Sequence, residues 1–265
     1  MGRRRLAAHA YGVQLQRPRS RMTSTVRVAT KEYNGEASEL APALPPDEVH
    51  VWHWEPVCPP PDLDHLLNIL AEDERQRAQR FHFAQHREAF IINRARMRIL
   101  LASYLDQPAE ELVFAYSPHG KPSLPDAGSF RFNLSHTEGR AALAVVQGRE
   151  IGIDVERVRP QADARRIAER FFSVQERQAL QEFSGQALDQ AFFRCWTRKE
   201  AYIKAKGEGL SLPLHQFDVS LAEDEPAMVL GTRPDPGEAR RWLLYDLALD
   251  PRCTAALAVA ASPAS

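Results

Sequence analysis

One short segment near the middle of the chain does most to limit what it can become. In Glu150-Ile151-Gly152-Ile153-Asp154-Val155-Glu156, apolar and non-apolar residues alternate without a break. A period of two belongs to a strand, with Ile151, Ile153 and Val155 on one face and Gly152, Asp154 and Glu156 on the other. The first face needs a core. The second directs two carboxylates the same way from a surface that otherwise lacks bulk. Like charges so placed repel, which favours either protonation or a cation between them. Oxygen-only donors suit a hard divalent ion such as Mg²⁺. An isolated D-x-E is also satisfied by a plain solvent-exposed polar face, so the pair needs company before it means chemistry.

The rest of the chain mixes strands and helices. Val49 to Trp54 alternates as a strand, and after Pro59-Pro60-Pro61 the spacing of Leu63, Leu66, Leu67 and Leu70 predicts a short amphipathic helix. A longer helix follows through Phe90, Met97, Leu101 and Tyr104, and turn residues gather at Ser117-Pro118-His119-Gly120-Lys121-Pro122. Strands are expected at 130–134 and 141–146. Helices are expected at about 163–171, 173–184 and 187–206, the middle one opened by the capping box Ser173 with Glu176. Further strands are expected at 217–221, 227–230, 241–247 and 253–260. No regular strand–helix–strand rhythm runs through the chain, which argues for an α+β fold. Ala141-Ala142-Leu143-Ala144-Val145-Val146 is echoed by Ala255-Ala256-Leu257-Ala258-Val259-Ala260, by itself a weak sign of internal duplication.

Composition removes several function classes. With 44% hydrophobic and 26% charged residues this is an ordinary globular chain, and no run approaches the roughly 18 apolar residues of a membrane span. Cys58, Cys195 and Cys253 lie far apart, which excludes a disulfide framework or a CxxC zinc site and suits a reducing cytoplasm. Residues 1–31 carry a charge of +8 and the remainder −9, so a generally basic nucleic-acid-binding body is not expected. The basic start is compatible with a transit peptide. The reading preferred is a disordered basic extension and linker over 1–46, with Met22 as an internal Met, Pro42, Pro45 and Pro46 closing the linker, and folded structure beginning near Val49.

Three more segments carry candidate chemistry. In Trp196-Thr197-Arg198-Lys199-Glu200-Ala201-Tyr202-Ile203-Lys204, a helix presents Glu200 and Lys204 on one face. An exposed ion pair would explain them, but Phe192, Phe193, Trp196 and Ile203 place the pair at the margin of a packed face, where a carboxylate and an ammonium can serve a metal and a phosphate. Gly207 and Gly209 then end the helix. In Phe132-Asn133-Leu134-Ser135-His136-Thr137, adjacent Ser135 and His136 offer polar groups to phosphate oxygens, although His136 alone reads as a structural histidine. Neighbours on a strand point to opposite faces and no G-x-S-x-G elbow is present, so serine-hydrolase chemistry is disfavoured. The Gly120-Lys121-Pro122 turn means little alone and is not a Walker loop.

Taken in order, these pieces resemble the 4′-phosphopantetheinyl transferases of the surfactin-synthetase-activating (Sfp) type. The likeness rests on Gly120-Lys121-Pro122, Phe132 to His136, Gly152 to Glu156, Phe171-Phe172-Ser173 with Glu176, and Trp196 to Tyr202 with Lys204, Gly207, Gly209 and Leu210, and it spans about residues 49–262. It implies an α+β fold of two similar halves, 47–148 and 149–265, related by pseudo-twofold symmetry, with coenzyme A in the cleft between them and a monomeric state. It implies transfer of 4′-phosphopantetheine from coenzyme A to a serine of an apo acyl or peptidyl carrier protein, releasing adenosine 3′,5′-bisphosphate. By the same resemblance Asp154, Glu156 and Glu200 hold Mg²⁺ (or Mn²⁺), Glu200 or a metal-ordered water beside it accepts the serine proton, and Lys204 stabilises charge on the departing pyrophosphate. Lys121, Pro122, Ser135 and His136 hold the nucleotide end and Arg77 its 3′-phosphate; Asp154, Glu200 and Lys204 also face coenzyme A.

This sequence departs from the family in one place. Two basic residues spaced by three are usual in the early phosphate-binding stretch, and here Glu74 occupies the first position, with Arg75 beside it and Arg77 at the second, so that either the alignment is displaced or Arg75 substitutes for the missing cation. Glu176 matches a family acid as well, but its capping-box position explains it equally well, so it stays outside the metal set. Another Mg²⁺-dependent nucleotide-pyrophosphate transferase or hydrolase would share the acids, and so would a catalytically silent binding module of the same fold.

Overall fold

A computed structural model describes residues 26–35 and 43–261. Its strands form two principal sheets. The first has the order β1 (Arg27–Glu32), β2 (Glu48–Trp54), β6 (Arg140–Gln147), β5 (Phe130–Thr137). The second has the order β10 (Trp242–Asp246), β11 (Cys253–Ala260), β7 (Ile151–Arg157). Two small hairpins, β3 (Ala115–Tyr116) with β4 (Pro122–Ser123) and β8 (Phe217–Val219) with β9 (Val229–Thr232), lie outside them. The helices are α1 (Pro60–Ile69), α2 (Glu72–Gln79), α3 (Ala84–Leu105), α4 (Ala164–Phe171), α5 (Val174–Leu180) and α6 (Gly185–Lys206). None of them is long and apolar enough to cross a membrane.

Alternation along the strands explains the layers. Val49 and Val51 of β2, Ile151, Ile153 and Val155 of β7, and Leu257 and Val259 of β11 share one core between the sheets. The outer face of the first sheet, through Trp52, Trp54, Leu143 and Phe132, packs on Met97 and Leu101 of α3. The outer face of the second packs on α6, with Ala256 and Ala258 against Ala201 and Ala205. Each half therefore runs strand, short helices, long helix, antiparallel hairpin, and each orders its three corresponding strands alike: β2-β6-β5 and β7-β11-β10.

The Ala-Leu-Ala-Val echo falls on the corresponding strands β6 and β11, but the faces are exchanged. Leu143 and Val145 point to α3, whereas Leu257 and Val259 point to the shared core. The echo is thus a likeness of composition and not of packing.

Folded structure starts earlier than Val49. Strand β1 pairs in parallel with β2, from Arg27 opposite Glu48 to Glu32 opposite His53. Val26 and Tyr33 at its two ends are buried, Val26 in the shared core and Tyr33 edge-on to Trp52. The charged residues Arg27, Lys31 and Glu32 mask the period of two in this segment, and its partner strand begins only at Glu48. The rest of the anticipated extension, residues 1–25 and 36–42, lies outside the described residues.

The two sheets are also sealed at one seam by side chains. Asn133 Oδ1 accepts a hydrogen bond from Ile153 N at 2.8 Å, Ser135 Oγ from Val155 N at 3.3 Å and Thr137 Oγ1 from Arg157 N at 3.2 Å. Both β5 and β7 are edge strands of their sheets. Alternate residues of β5 thus satisfy alternate amides of β7 that would otherwise be unpaired inside the protein. This seam fixes the register between the strand carrying His136 and the strand carrying Asp154 and Glu156.

Candidate functional site

Helix α6 reaches β7 because residue 152 has no side chain. A Cβ built on Gly152 would stand 2.2 Å from Ala201 O and 2.2 Å from Ala205 N, both backbone atoms of the helix. The opposing residue on β11 is Ala258, and Asp154 is paired with Ala256, so small residues clear the floor on which α6 lies. The result brings Glu200 and Lys204, one turn apart, over Asp154 and Glu156.

Asp154 is the hub. Its Oδ1 accepts hydrogen bonds from Lys204 Nζ at 2.6 Å and Ser135 Oγ at 2.9 Å, and Lys204 Nζ also donates to Ser135 Oγ at 3.0 Å. Its Oδ2 is buried and accepts no hydrogen bond. Burial, and then the Asp154 charge, push the Glu156 carboxyl above the usual carboxylate range. Glu200 is raised by the same two causes, with Glu156 adding to the effect and Lys204 opposing it. Thr137 Oγ1 donates to Glu156 Oε2 at 3.4 Å.

Three mutually repelling carboxylates with one orphaned, buried oxygen are a donor set that fits a hard divalent cation. They are neighbours and not a finished cage: among the described residues no three His, Cys, Asp or Glu side chains are drawn together tightly enough to hold a metal. Lys204 supplies the positive charge at Asp154 instead.

The nucleotide-end residues distribute unevenly. His136 points away from Ser135 into solvent at the edge of the site, and partial burial followed by the nearby Lys204 and Arg77 cations lowers its pKa. Arg77, on α2, is exposed, with its guanidinium over the Phe90 ring at 5.3 Å, and its charge is felt at His136. Lys121 Nζ is turned inward, donating to Ile151 O at 3.0 Å and Ala205 O at 3.3 Å, and burial lowers its pKa. It ties the β3–β4 hairpin, which contains Pro122, to the start of β7 and the end of α6.

Glu74 has a structural explanation. Its Oε2 accepts from Ala71 N at 2.9 Å at the start of α2 and from Arg98 Nε at 2.6 Å, and its Oε1 accepts from Arg94 Nε. A basic residue there would face two arginines from α3. Arg75 does not replace the missing cation, because its guanidinium donates to Leu70 O at 2.6 Å and pairs with Glu72.

Glu176 and Lys199 also belong to the scaffold. Glu176 completes the capping box with Ser173, accepts from Val219 N at 2.8 Å and pairs with Lys199 Nζ at 2.7 Å. Lys199 also donates to Leu214 O at 2.8 Å and Phe217 O at 2.7 Å, which uses all three of its donors. Both side chains are essentially sealed from water. Removing one partner of such a pair strands a buried charge, so Lys199→Ala is expected to lose about 3–5 kcal/mol of stability, read as a lower urea midpoint. The adjacent Glu200→Gln is expected to hold its midpoint at or above that of the parent, because it relieves repulsion.

What this geometry assembles is a cluster of acids on β7 and α6 beside cations on α2 and α6. Comparison with known proteins supplies the family. Residues 150–258 match the profile of the 4′-phosphopantetheinyl transferase superfamily, and residues 52–148 match that of the 4′-phosphopantetheinyl transferase N-terminal region. The 4′-phosphopantetheinyl transferase HetI of Nostoc sp. is 39% identical over 217 residues, covering 81% of this chain and 88% of its own. The 4′-phosphopantetheinyl transferase psf-1 of Bacillus pumilus is 33% identical over 62% of this chain and 70% of its own, and Sfp of Bacillus subtilis is 29% identical over 61% and 70%. A solved structure, the holo-[acyl-carrier-protein] synthase of Thermotoga maritima, overlaps 42% of this chain and 62% of its own at a TM-score of 0.33 and 23% identity. This chain belongs to the 4′-phosphopantetheinyl transferase superfamily.

Proposed function

We propose that this protein transfers 4′-phosphopantetheine from coenzyme A to the serine of an apo acyl or peptidyl carrier protein, with Asp154, Glu156 and Glu200 as the side chains that hold Mg²⁺. The observation that carries the reading is the unpartnered Asp154 Oδ2 beside two carboxylates whose proton affinity burial and repulsion raise. When bound there, Mg²⁺ supplies positive charge to the pyrophosphate and Lewis-acid polarisation of its oxygens.

The remaining work falls to the chain itself. The carrier serine oxygen forms a bond to the β-phosphorus as the bond to the bridging oxygen breaks, and adenosine 3′,5′-bisphosphate leaves. Glu200, whose proton affinity burial and the Asp154 charge raise before any cation binds, or a water ordered beside it takes the serine proton. Lys204, whose side chain is 29% exposed and therefore free to turn, moves from Asp154 to the pyrophosphate and neutralises the departing charge. Arg77 and His136 meet the nucleotide phosphates at the margin, and the Lys121–Pro122 hairpin positions the nucleotide end. Binding in a cleft between the halves, action as a monomer, and a reducing cytoplasmic setting that suits three free thiols complete the reading.

The test is to incubate the protein with coenzyme A, Mg²⁺ and several apo carriers and to read the intact mass of each carrier. One phosphopantetheine should be added at the serine, with no addition when a chelator is present from the start and addition restored by excess Mg²⁺ or Mn²⁺. Cleavage of coenzyme A with no carrier modified would overturn the proposal in favour of a pyrophosphate hydrolase.

A further inference from the structure

We propose that a cavity between α5 and the base of the β8–β9 hairpin binds the phosphate group of a small phosphate monoester. Its volume is about 630 Å³, within the range of small-molecule sites, and Arg170, Arg177, Arg233 and His215 line it against one acid, Glu169. None of its lining residues lies on β7, α6 or α2, so the site stands apart from the transfer chemistry.

Arg177 is the central residue. Glu176, before it on α5, turns into the protein to Val219 N and Lys199, whereas Arg177 shares a face with Ser173 and Val174 and lines the cavity with them. Its Nε is buried and meets no acceptor, and among the described residues no carboxylate pairs with its guanidinium. A buried donor without an acceptor is costly, and a guanidinium is a flat fork of N–H groups that suits two oxygens of a phosphate. Arg170, exposed at the end of α4, also has no carboxylate partner among the described residues and rests on the Phe171 ring at 5.1 Å. Arg233 is held differently. Its fork takes both oxygens of the buried Asp218, at 2.7 and 2.9 Å, which fixes the guanidinium while its side chain stays 48% exposed. Three arginines against Glu169 and Asp218 leave one net positive charge, and His215 adds to it when protonated. Guanidiniums from three separate places in the chain suit a tetrahedral group, with oxygens in several directions, better than a planar carboxylate. The exposed Val174 gives the organic part of an ester an apolar wall.

Calorimetry on the full chain, already saturated with coenzyme A, tests the site by titration with inorganic phosphate, adenosine 5′-monophosphate and acetate in turn. One equivalent of phosphate is expected to bind, the nucleotide at least as tightly, and acetate about tenfold more weakly. Arg177→Gln should weaken the nucleotide about tenfold or more, the scale of a lost hydrogen bond to a charged group. Arg170→Gln, at an exposed position, should weaken it severalfold and takes over the test should the first variant not fold. Arg166→Gln removes another exposed cation of α4, one that pairs with Asp163 at 2.9 Å, and should stay within about twofold of the parent. Coenzyme A affinity should hold within about twofold throughout. Absence of saturable binding, exclusion of the nucleotide, acetate binding as tightly as phosphate, or equal losses in all three variants would overturn the inference. A chain that takes up no coenzyme A would defeat the transferase reading alone, since Arg177→Gln would still differ from the parent in binding the nucleotide.

Discussion

Asp154→Ala is expected to lose about a thousandfold or more in phosphopantetheine transfer while melting cooperatively close to the parent temperature. The loss follows from taking away the central carboxylate of the proposed cation site, worth about 4 kcal/mol in the transition state at about 1.4 kcal/mol per factor of ten. The fold should survive for three reasons. Lys204 is 29% exposed in its side chain and can turn its ammonium to water. The orphaned Oδ2 disappears with the side chain, and with it a buried polar atom that has no partner. Repulsion on Glu156 and Glu200 is relieved, since Asp154 raises both. Initial rates of carrier modification and a thermal melt on the same preparation check the two halves of the prediction. Undiminished transfer would place the metal elsewhere.

Gly152→Ala should do the reverse, harming the fold and the activity together. Its backbone is not in the left-handed region, so the requirement is for space and not for an unusual φ. The added methyl would meet Ala201 O and Ala205 N at 2.2 Å, and neither can turn aside as a flexible side chain would. Helix α6 must therefore shift off β7. Overpacking of this kind costs about 1–3 kcal/mol and more where backbone has to move. The shift carries Glu200 and Lys204 away from Asp154, and a displacement on the order of 1 Å costs about a hundredfold in rate. Urea unfolding should show a lower midpoint, and kcat/KM of the folded fraction should fall by about that factor. A variant with parental midpoint and rate would mean that α6 does not rest on Gly152.

Much of this site was legible because it is written in local periods. Alternation at 151–156 and a four-residue spacing between Glu200 and Lys204 are properties of single elements, and both elements form as expected. The capping role of Glu176 was readable for the same reason, since Ser173 lies three residues away. What escaped involves partners distant in sequence. Lys199 stands next to Glu200, yet its buried bonds go to Leu214, Phe217 and Glu176, none of which its own helix announces. Glu74 departs from the phosphate-binding pattern for a reason its own helix does not show, since Arg94 and Arg98 of α3 lie on it. The bonds of Ser135 to Asp154, Val155 and Lys204 were not readable from its own strand, because those partners lie on β7 and α6. Strand β1 was hidden by its charges, and only its pairing with β2 reveals it. Seam bonds such as Asn133 to Ile153 N leave no trace in either strand read alone.

Crystals grown with coenzyme A and Mn²⁺, measured at the manganese absorption edge, test directly whether a divalent cation sits among Asp154, Glu156 and Glu200. One anomalous peak is expected, with oxygens of those three carboxylates at about 2.1 Å and Lys204 turned from Asp154 toward the pyrophosphate. A peak ligated elsewhere, or none beside bound coenzyme A with Lys204 still on Asp154, would contradict it.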